Sequence, residues 1–325
     1  MEFAFTEEQE MIRDTAASFL AEVSDSAAVR RAMATERGYE PEVWSRICSE
    51  MYWQAIHVPE AYGGMGLGYV ELAATMEQMG RYLLCSPFFS TVCLAGNALL
   101  VAGSEEQKAH WLGRLCGEGL TATLACNGGS ARWDASSVTA TWRRDGDGYL
   151  LEGDYRYVID GHTADLLVVA AREAGSSGEQ GVSLFLLPSD TPGVSRQWLP
   201  TMDQARRQAA VRLDGVRLGA DALMGEAGEG GDALTSTLDL AAIALTAEQV
   251  GGCQQLLDMT VAYTGERVQF NRAIASFQAV KHKAADMMLS TEVARSGAYY
   301  AACVAQEALG GGALAAELPE AASVA

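Results

Sequence analysis

Arg267 and Gln278, near the end of the sequence, are side chains that could hold a phosphate-bearing ligand. The guanidinium group of Arg267 is a fixed fork of N–H donors that suits phosphate oxygens. The amide of Gln278 can both donate and accept a hydrogen bond. The alternative interpretation is a solvated basic helix end in an acidic protein, which would bind nothing.

Two further stretches of the sequence could bring the main chain close to a ligand. Residues 59–67 contain Gly63, Gly64 and Gly66, and glycine permits positive φ and a close backbone approach. The alternative for this stretch is a plain turn between helices. Residues 151–161 predict a β-hairpin that leads into a buried strand at 164–169. Its aromatic side chains either face a ligand or simply pack into the core.

The elements that must position these residues follow a helical, β, helical order. Thr6 and Gln9 form a capping-box pattern, which apolar residues at helical spacing follow: Met11, Ile12, Phe19 and Leu20. Similar periodicity predicts helices at 43–53, 69–84 and 92–101. After about residue 120, β-rich runs bounded by Gly and Asp appear at 138–142, 149–151, 166–170, 182–187 and 211–213. Long helical patterns return at 233–264 and 277–309.

This order predicts an α+β fold, mainly α, with three domains. We place the N-terminal helical domain at 1–118, the middle β domain at 119–226 and the C-terminal helical domain at 227–325, with a glycine-rich hinge at 225–231. The tail from Gly310 predicts a loop, and Pro319 with Glu320 predicts the first turn of another helix, left unfinished at Ala325. The C-terminal domain is therefore expected to be incomplete.

Composition excludes several classes of protein. The chain has 325 residues, of which 49% are hydrophobic, so packed cores are expected. No run approaches the roughly 20 apolar residues of a membrane span, and the N-terminus lacks the basic start of a secretory signal, which predicts a cytoplasmic location. The seven cysteines form no CxxC pair, so reduced core thiols are expected and a metal site is not. A net charge of −19 disfavours nucleic acid, and a phosphate-bearing ligand would need a local basic pocket.

Three segments of the sequence resemble signatures of the acyl-CoA dehydrogenase family. Residues 59–67, PEAYGGMGL, resemble the family's PExYGG-x-G loop. Residues 151–169 are similar to its LxGxKxWITNGxxAD segment. The run ERVQFNRAIASFQAVKHKAADM at 266–287 is similar to RxQFGRPIxSFQxxKHxxADM. The resemblance extends from Thr6 to Met287 and implies helical domains on either side of a β-barrel-like domain, usually assembled as dimers or tetramers.

The resemblance also implies a cofactor, partners and binding residues. Arg267, Phe270 and Gln278 match the positions that hold the pyrophosphate and adenosine end of an FAD belonging to a neighbouring subunit. Tyr157 stands at the flavin-facing aromatic position, and Ser130 survives in a loop that contacts flavin and pyrophosphate. The implied substrate is an acyl-CoA, and the implied electron acceptor is an electron-transferring flavoprotein.

The sequence departs from the family where catalysis takes place. The family needs a carboxylate base to remove the proton α to the thioester carbonyl. One branch of the family carries this base in a Glu-Arg pair, and the matching positions here are Ala241 and Ala242. The other branch carries the base at a position that would lie beyond residue 325. Glu248 lies two turns from Ala241 on the same predicted helix and is expected to have a structural role. Ile159 replaces a hydroxyl residue, and the Thr-Glu-Pro and final Asp of the flavin loop are missing around Ser130.

These departures predict a partner subunit of a hetero-oligomeric acyl-CoA dehydrogenase, with FAD contacts retained and the base supplied by a paralogous subunit. Some bacterial family members of this kind act on bulky, steroid-like acyl-CoA substrates. Two alternatives stay open. One is a non-catalytic subunit that completes a partner's FAD site, and the other is a flavin oxidase or monooxygenase of the same fold.

Overall fold

The computed structural model describes residues 5–130 and 132–325. Two long helices, α8 (Gly231–Glu266) and α9 (Gln278–Gly310), dominate the C-terminal third. The shorter helices, numbered in chain order, are α1 (Glu7–Val23), α2 (Ser26–Met33), α3 (Pro41–Arg46), α4 (Tyr69–Arg81), α5 (Asn97–Ala102), α6 (Glu105–Gln107), α7 (Gly113–Glu118) and α10 (Leu318–Val324). π-helical turns extend three of these at Ile47–Met51, Phe89–Gly96 and Lys108–Leu112.

The chain forms two compact units, each made of separate segments of the sequence. Unit 1 comprises Met1–Ser26, Tyr69–Leu84 and Ala242–Ala325, and unit 2 comprises Ala27–Gly68 and Cys85–Ala241. The helical, β, helical order along the chain is confirmed. The division into three domains at 118 and 226 stays a prediction.

Unit 2 contains a sheet of eight strands. They are β1 (Ala122–Ala125), β2 (Thr141–Asp145), β3 (Gly148–Ile159), β4 (Leu166–Glu173), β5 (Val182–Pro188), β6 (Val194–Leu199), β7 (Gln208–Leu218) and β8 (Leu223–Met224). The strand order is β6-β7-β3-β2-β4-β5-β8, and β1 pairs with β4 in parallel. Trp142, Tyr149 and Phe185 meet edge to face in its core, with ring centroids 5.1–6.2 Å apart.

The predicted hairpin at 151–161 is wrong. Residues Gly148–Ile159 form one long strand, β3, and the hairpin turn precedes it at the junction with β2. Two register shifts against β7, one of them between Tyr155 and Val158, explain the irregular hydrophobic pattern. An extra residue in one strand bends it and reverses the side-chain alternation, which imitates a turn in the sequence.

The N-terminal helix begins at its predicted capping box and buries only part of its apolar residues. Thr6 and Gln9 form the predicted reciprocal capping box: Thr6 Oγ1 accepts from the Gln9 N–H at 3.2 Å, and Gln9 Oε1 accepts from the Thr6 N–H at 3.0 Å. Phe19 and Leu20 are buried as expected. Met11 is 64% exposed, because the buried face of α1 passes through Ala16 instead. The loop predicted from Gly310 is wrong in part, because Gly310 is the last residue of α9 and a 3₁₀ turn forms at Ala315–Glu317. The helix predicted at Pro319 forms as α10.

Unit 1 depends on a close approach between α4 and α8. A Cβ atom on Gly251 of α8 would lie 1.7 Å from the Glu77 carbonyl oxygen, and one on Gly80 of α4 would lie 1.8 Å from the Glu248 carbonyl oxygen. Arg295 of α9 adds hydrogen bonds to Glu77 at 3.2 Å and to Gln254 at 2.7 Å. The absence of side chains at the two glycines therefore sets how closely these helices pack.

We expect Gly251→Ala to lower the free energy of unfolding by about 1–3 kcal/mol, because the new methyl group overlaps the α4 backbone and the helices must separate. Gly252→Ala is the matched control, since its Cβ would meet its nearest atom only at 3.9 Å. The control should be more stable than the parent by about 0.5–1 kcal/mol through helix propensity. Chemical denaturation of both variants measures the difference, and equal stabilities would contradict this packing.

The seven cysteines are all free thiols, but the prediction that they lie in the core holds for only four: Cys253 is exposed and Cys48 and Cys303 are partly exposed. Burial raises the pKa of Cys85 and Cys116 to about 11, so these thiols stay protonated and unreactive at neutral pH. Within the described ranges, no helix is long and apolar enough to cross a membrane.

Candidate functional site

Arg267, Phe270 and Gln278 lie on one exposed segment of unit 1. Strands β9 (Val268–Gln269) and β10 (Arg272–Ala273) form a small hairpin between α8 and α9. Phe270 and Asn271 at its tip have φ of 52° and 59°, the signature of a two-residue type I′ turn. Asn tolerates this left-handed conformation, whereas it is strained for Phe. The turn projects the Phe270 ring outward, where it is 86% exposed.

The functional groups of this segment are available to a ligand. The Phe270 ring contacts Phe277 edge to face with centroids 6.1 Å apart, and the Arg272 guanidinium lies 4.1 Å from the centre of the Phe277 ring. Arg267 is exposed and has no carboxylate partner among the described residues. Gln278 is also exposed, with its Nε2 3.4 Å from His282 Nε2. A guanidinium group, an amide and an aromatic ring are therefore all exposed on one short segment of the chain.

Ser130 belongs to a tight loop in unit 2 that Asn127 organises. The buried Asn127 side chain accepts from the Gly129 N–H at 2.7 Å and donates to the Ser130 carbonyl at 2.9 Å. The Asn127 carbonyl accepts from the Arg156 N–H at 2.9 Å, so the loop is fixed against β3. The Ser130 hydroxyl accepts from the Arg132 N–H at 3.2 Å and donates to the Arg132 carbonyl at 3.3 Å. The hydroxyl predicted to contact a ligand is thus also used to shape the loop.

Tyr157 stands at the irregular end of β3, next to this loop. It has a φ of 60°, a left-handed conformation that is costly for an aromatic residue, and its side chain is 39% exposed. A strained, half-open aromatic residue is typical of a ligand contact. Ile159 is buried instead, and its carbonyl accepts a hydrogen bond from the Thr123 hydroxyl at 2.6 Å.

Asp160 anchors the segment that carries Tyr157. Its carboxylate accepts from the Ser90 hydroxyl at 2.7 Å, and its N–H donates to the Arg207 carbonyl at 2.9 Å. Burial raises the pKa of Asp160 to about 6, although the Ser90 hydrogen bond and the charge of Arg206 oppose this shift. Asp160 also has a positive φ of 52°. Its side-chain and main-chain hydrogen bonds together hold the backbone of this end of β3 in that conformation.

No carboxylate stands at the expected base positions. Ala241 is buried and Ala242 is exposed, both on α8. Glu248 lies farther along the same helix, where its main chain faces Gly80 in the packing against α4. The expectation that Glu248 is a packing residue agrees with this position and stays a prediction.

Glu248→Gln is expected to leave most of the activity of a flavin-loaded complex in place, because the substitution keeps the shape of the residue and its role in helix packing. Steady-state kcat, with FAD content and assembly measured on the same preparation, checks this. A loss of several orders of magnitude with normal FAD content would identify Glu248 as the general base.

Sequence reasoning assigns no role of their own to three residues of this region. Asn127 could have been found, since Asn before a Gly-Gly pair is typical of a side-chain-closed turn. Asp160 had no local signal, because its partner Ser90 lies far away in the chain. Arg156 packs its side chain beside Gly129, where a Cβ atom would lie 3.2 Å from Arg156 Cδ, and only the fold brings these two residues together.

Three domain models of one known protein family match most of the chain. The model for "Acyl-CoA dehydrogenase, N-terminal domain" matches residues 6–118, that for the middle domain matches 127–216 and that for the C-terminal domain matches 228–319. A curated relative, acyl-CoA dehydrogenase IpdE2 of Mycobacterium tuberculosis, is 32% identical over 290 residues, which is 89% of this chain and 74% of the relative.

Solved structures of the same fold include assemblies and a flavin complex. The Tcur3481-Tcur3483 steroid ACAD variant is 28% identical with a TM-score of 0.83, over 97% of this chain and 81% of that one. The ChsE4-ChsE5 complex from Mycobacterium tuberculosis is 26% identical with a TM-score of 0.83, over 99% and 86%. PigA with FAD and proline is 25% identical with a TM-score of 0.87, over 99% and 84%.

Proposed function

Because the chain belongs to the acyl-CoA dehydrogenase family, we propose that it is one subunit of an FAD-dependent acyl-CoA dehydrogenase whose catalytic carboxylate comes from a paralogous subunit. The observation that carries this proposal is a contrast between two sites. The exposed 267–278 segment retains its ligand-binding groups, whereas alanines occupy the base positions 241 and 242. A subunit that binds FAD in a shared site but leaves proton abstraction to its partner would show this contrast.

The described residues fit FAD in two places. When bound, FAD supplies the acceptor for the hydride that leaves the β carbon of the acyl thioester. Arg267 would hold the pyrophosphate by charge-assisted hydrogen bonds, with Gln278 and the exposed Phe270 ring beside the nucleotide. Tyr157 would present its exposed ring to a flavin. Ile159 offers no hydroxyl, so this chain's own flavin-facing surface would hold the ring system with fewer polar contacts.

Exposed apolar side chains on the two helices that flank the binding segment in the sequence support a partner subunit. Leu256, Met259 and Tyr263 of α8 and Met288, Leu289 and Val293 of α9 are all more than half exposed. Apolar side chains exposed together are typical of a protein interface. Solved structures of the same fold named for two chains, such as the ChsE4-ChsE5 complex, make a paralogous subunit the occupant we propose.

We further propose a bulky acyl-CoA as the substrate and an electron-transferring flavoprotein as the electron acceptor. The first rests on the likeness to a structure described as a steroid ACAD. A second candidate function, a non-catalytic subunit that only completes the partner's FAD site, is favoured by Ile159 and by the altered loop around Ser130.

Co-expression with candidate paralogues tests the proposal. We expect a complex that contains both chains and FAD, and whose flavin is bleached anaerobically by an acyl-CoA and reoxidised slowly in air. Intact-mass analysis gives the partner, and the absorbance spectrum gives the FAD content for each chain. Rapid reoxidation by O2 would indicate an oxidase instead. One FAD for each pair of chains, with its flavin ring held by the partner and its nucleotide end held by this chain, would support the non-catalytic subunit.

A further inference from the structure

Unit 2 carries a groove of about 690 Å³ that the proposed function does not use. It crosses three adjacent strands, β3, β7 and β6, and is lined by polar side chains from all three. The polar lining residues are Asp154, Arg156, Ser195, Arg196, Gln197 and Arg212. Arg196 pairs with the buried Val211, so its side chain lies on the opposite face of the sheet, and Arg156, Arg212 and Asp154 give the groove a formal charge of +1 in a chain whose net charge is −19. The groove is therefore a local basic site on an acidic protein.

Strand register explains why these side chains converge. Arg212 of β7 is paired with Asp154 of β3 on one side and with Ser195 of β6 on the other, so the three side chains stand in a row. Ala210, which is paired with Gln197, occupies the same face two residues away and leaves space above it. A small residue flanked by long polar side chains produces a groove with donors on both walls.

Two of the three guanidinium groups are available to a ligand. Arg196 is half-buried and donates to the Ala164 carbonyl at 2.6 Å and the Gly161 carbonyl at 3.4 Å. Arg156 and Arg212 are exposed, and neither has a carboxylate within salt-bridge distance among the described residues. Arg212 thus makes no ion pair even with Asp154 on the neighbouring strand. Arg156 is the more constrained, since its stem packs beside Gly129 and its guanidinium lies 5.9 Å from the Tyr157 ring centre.

We propose that this groove binds a small, multiply charged phosphate compound, with Arg156 and Arg212 as the charged donors and Ser195 and Gln197 as neutral ones. Arginine pairs bidentately with phosphate oxygens, and the two guanidinium groups in the groove outnumber its one carboxylate. Asp154 adds a preference, because it repels a ligand whose charge extends toward it and accepts from a hydroxyl or an amine placed there. A nucleotide bearing phosphate and ribose hydroxyl groups matches both features.

Isothermal titration of the 325-residue chain tests this site without flavin or thioester. Because adenosine 3′,5′-bisphosphate is also the nucleotide part of coenzyme A, the groove variants separate its outcome from that of the proposed function. The probes are adenosine 3′,5′-bisphosphate, inorganic pyrophosphate and uncharged adenosine. We expect saturable binding of the bisphosphate that weakens roughly tenfold or more in Arg212→Gln and in Arg156→Gln, the scale of one lost charge-assisted contact. Arg217→Gln is the matched control, because it removes the same charge from the same strand at an ion pair with Asp145 outside the groove.

The outcomes distinguish a nucleotide ligand from phosphate groups alone, and some of them would overturn the proposal. Tighter binding of the bisphosphate than of pyrophosphate identifies a nucleotide ligand, and equal binding identifies the phosphate groups alone. The proposal is overturned if no charged probe binds saturably, if adenosine binds equally well, or if Arg217→Gln weakens binding as much as Arg212→Gln. Thermal melting of each variant shows that the fold is intact, and the exposed positions of Arg156 and Arg212 make unfolding an unexpected result.

Discussion

The chain purified alone should turn over an acyl-CoA at least about a hundredfold more slowly than its complex with the correct paralogue, since general-base catalysis typically contributes about 10²–10⁴-fold. The physical reason is the absence of a proton acceptor at 241 and 242, where both side chains are methyl groups. Water cannot replace a positioned carboxylate, because the reaction needs a base held within hydrogen-bond distance of the α carbon's proton.

The experiment compares the chain alone, the paralogue alone and the two together, with acyl-CoA-dependent reduction of an artificial acceptor as the readout. A carboxylate-to-amide substitution at the paralogue's base should return the complex to the rate of the isolated chain. The matching substitution in this chain, Glu248→Gln, serves as the control. Stoichiometric FAD and an ordinary rate in the pure 325-residue chain would show that it is a self-sufficient enzyme.

The helices were predictable because their signals are local. The patterns at 233–264 and 277–309 place α8 and α9 within two residues of their observed ends, and Thr6 with Gln9 fixes the start of α1. Capping residues and apolar spacing act within a few turns of the helix that they specify. The sheet was harder to predict. Strand β1 has four buried residues and no alternation, since it pairs in parallel with β4 inside unit 2.

The candidate sites, like the sheet, were predictable only where their residues are close together in the sequence. The 266–287 run could be recognised from its own residues, because a hairpin and the start of a helix carry all of its functional groups. The contact of Asp160 with Ser90 and the row formed by Asp154, Arg212 and Ser195 depend on the pairing of distant segments. A single shift of one residue in the pairing of β3 with β7 would move Arg212 away from its neighbours. Sequence patterns alone do not determine that register.

Arg267→Ala is expected to weaken FAD retention in the assembled complex by about 10- to 150-fold, because it removes a charge-assisted contact to the pyrophosphate worth about 1.5–3 kcal/mol. Arg267 is suited to this role because it is exposed and lacks a carboxylate partner in the described part of the chain, so no internal ion pair must break before it binds a phosphate. Lysine at this position would keep the charge but lose the bidentate geometry, so Arg267→Lys should give an intermediate loss.

Lys283→Ala is the matched control for this prediction. Lys283 is exposed on α9 and stands at a variable position of the 266–287 motif. Its substitution by alanine removes the same charge from the same basic segment. If only the long-range electrostatic attraction of the basic segment held FAD, both alanine variants would lose flavin to a similar extent. Added salt would then reduce the difference from the parent for both variants. If Arg267 contacts the pyrophosphate directly, only its substitution releases flavin while the oligomer stays intact by size-exclusion chromatography. Unchanged FAD affinity in an intact Arg267→Ala complex would remove Arg267 from the cofactor site and leave the segment with Phe270 and Gln278 as its candidate contacts.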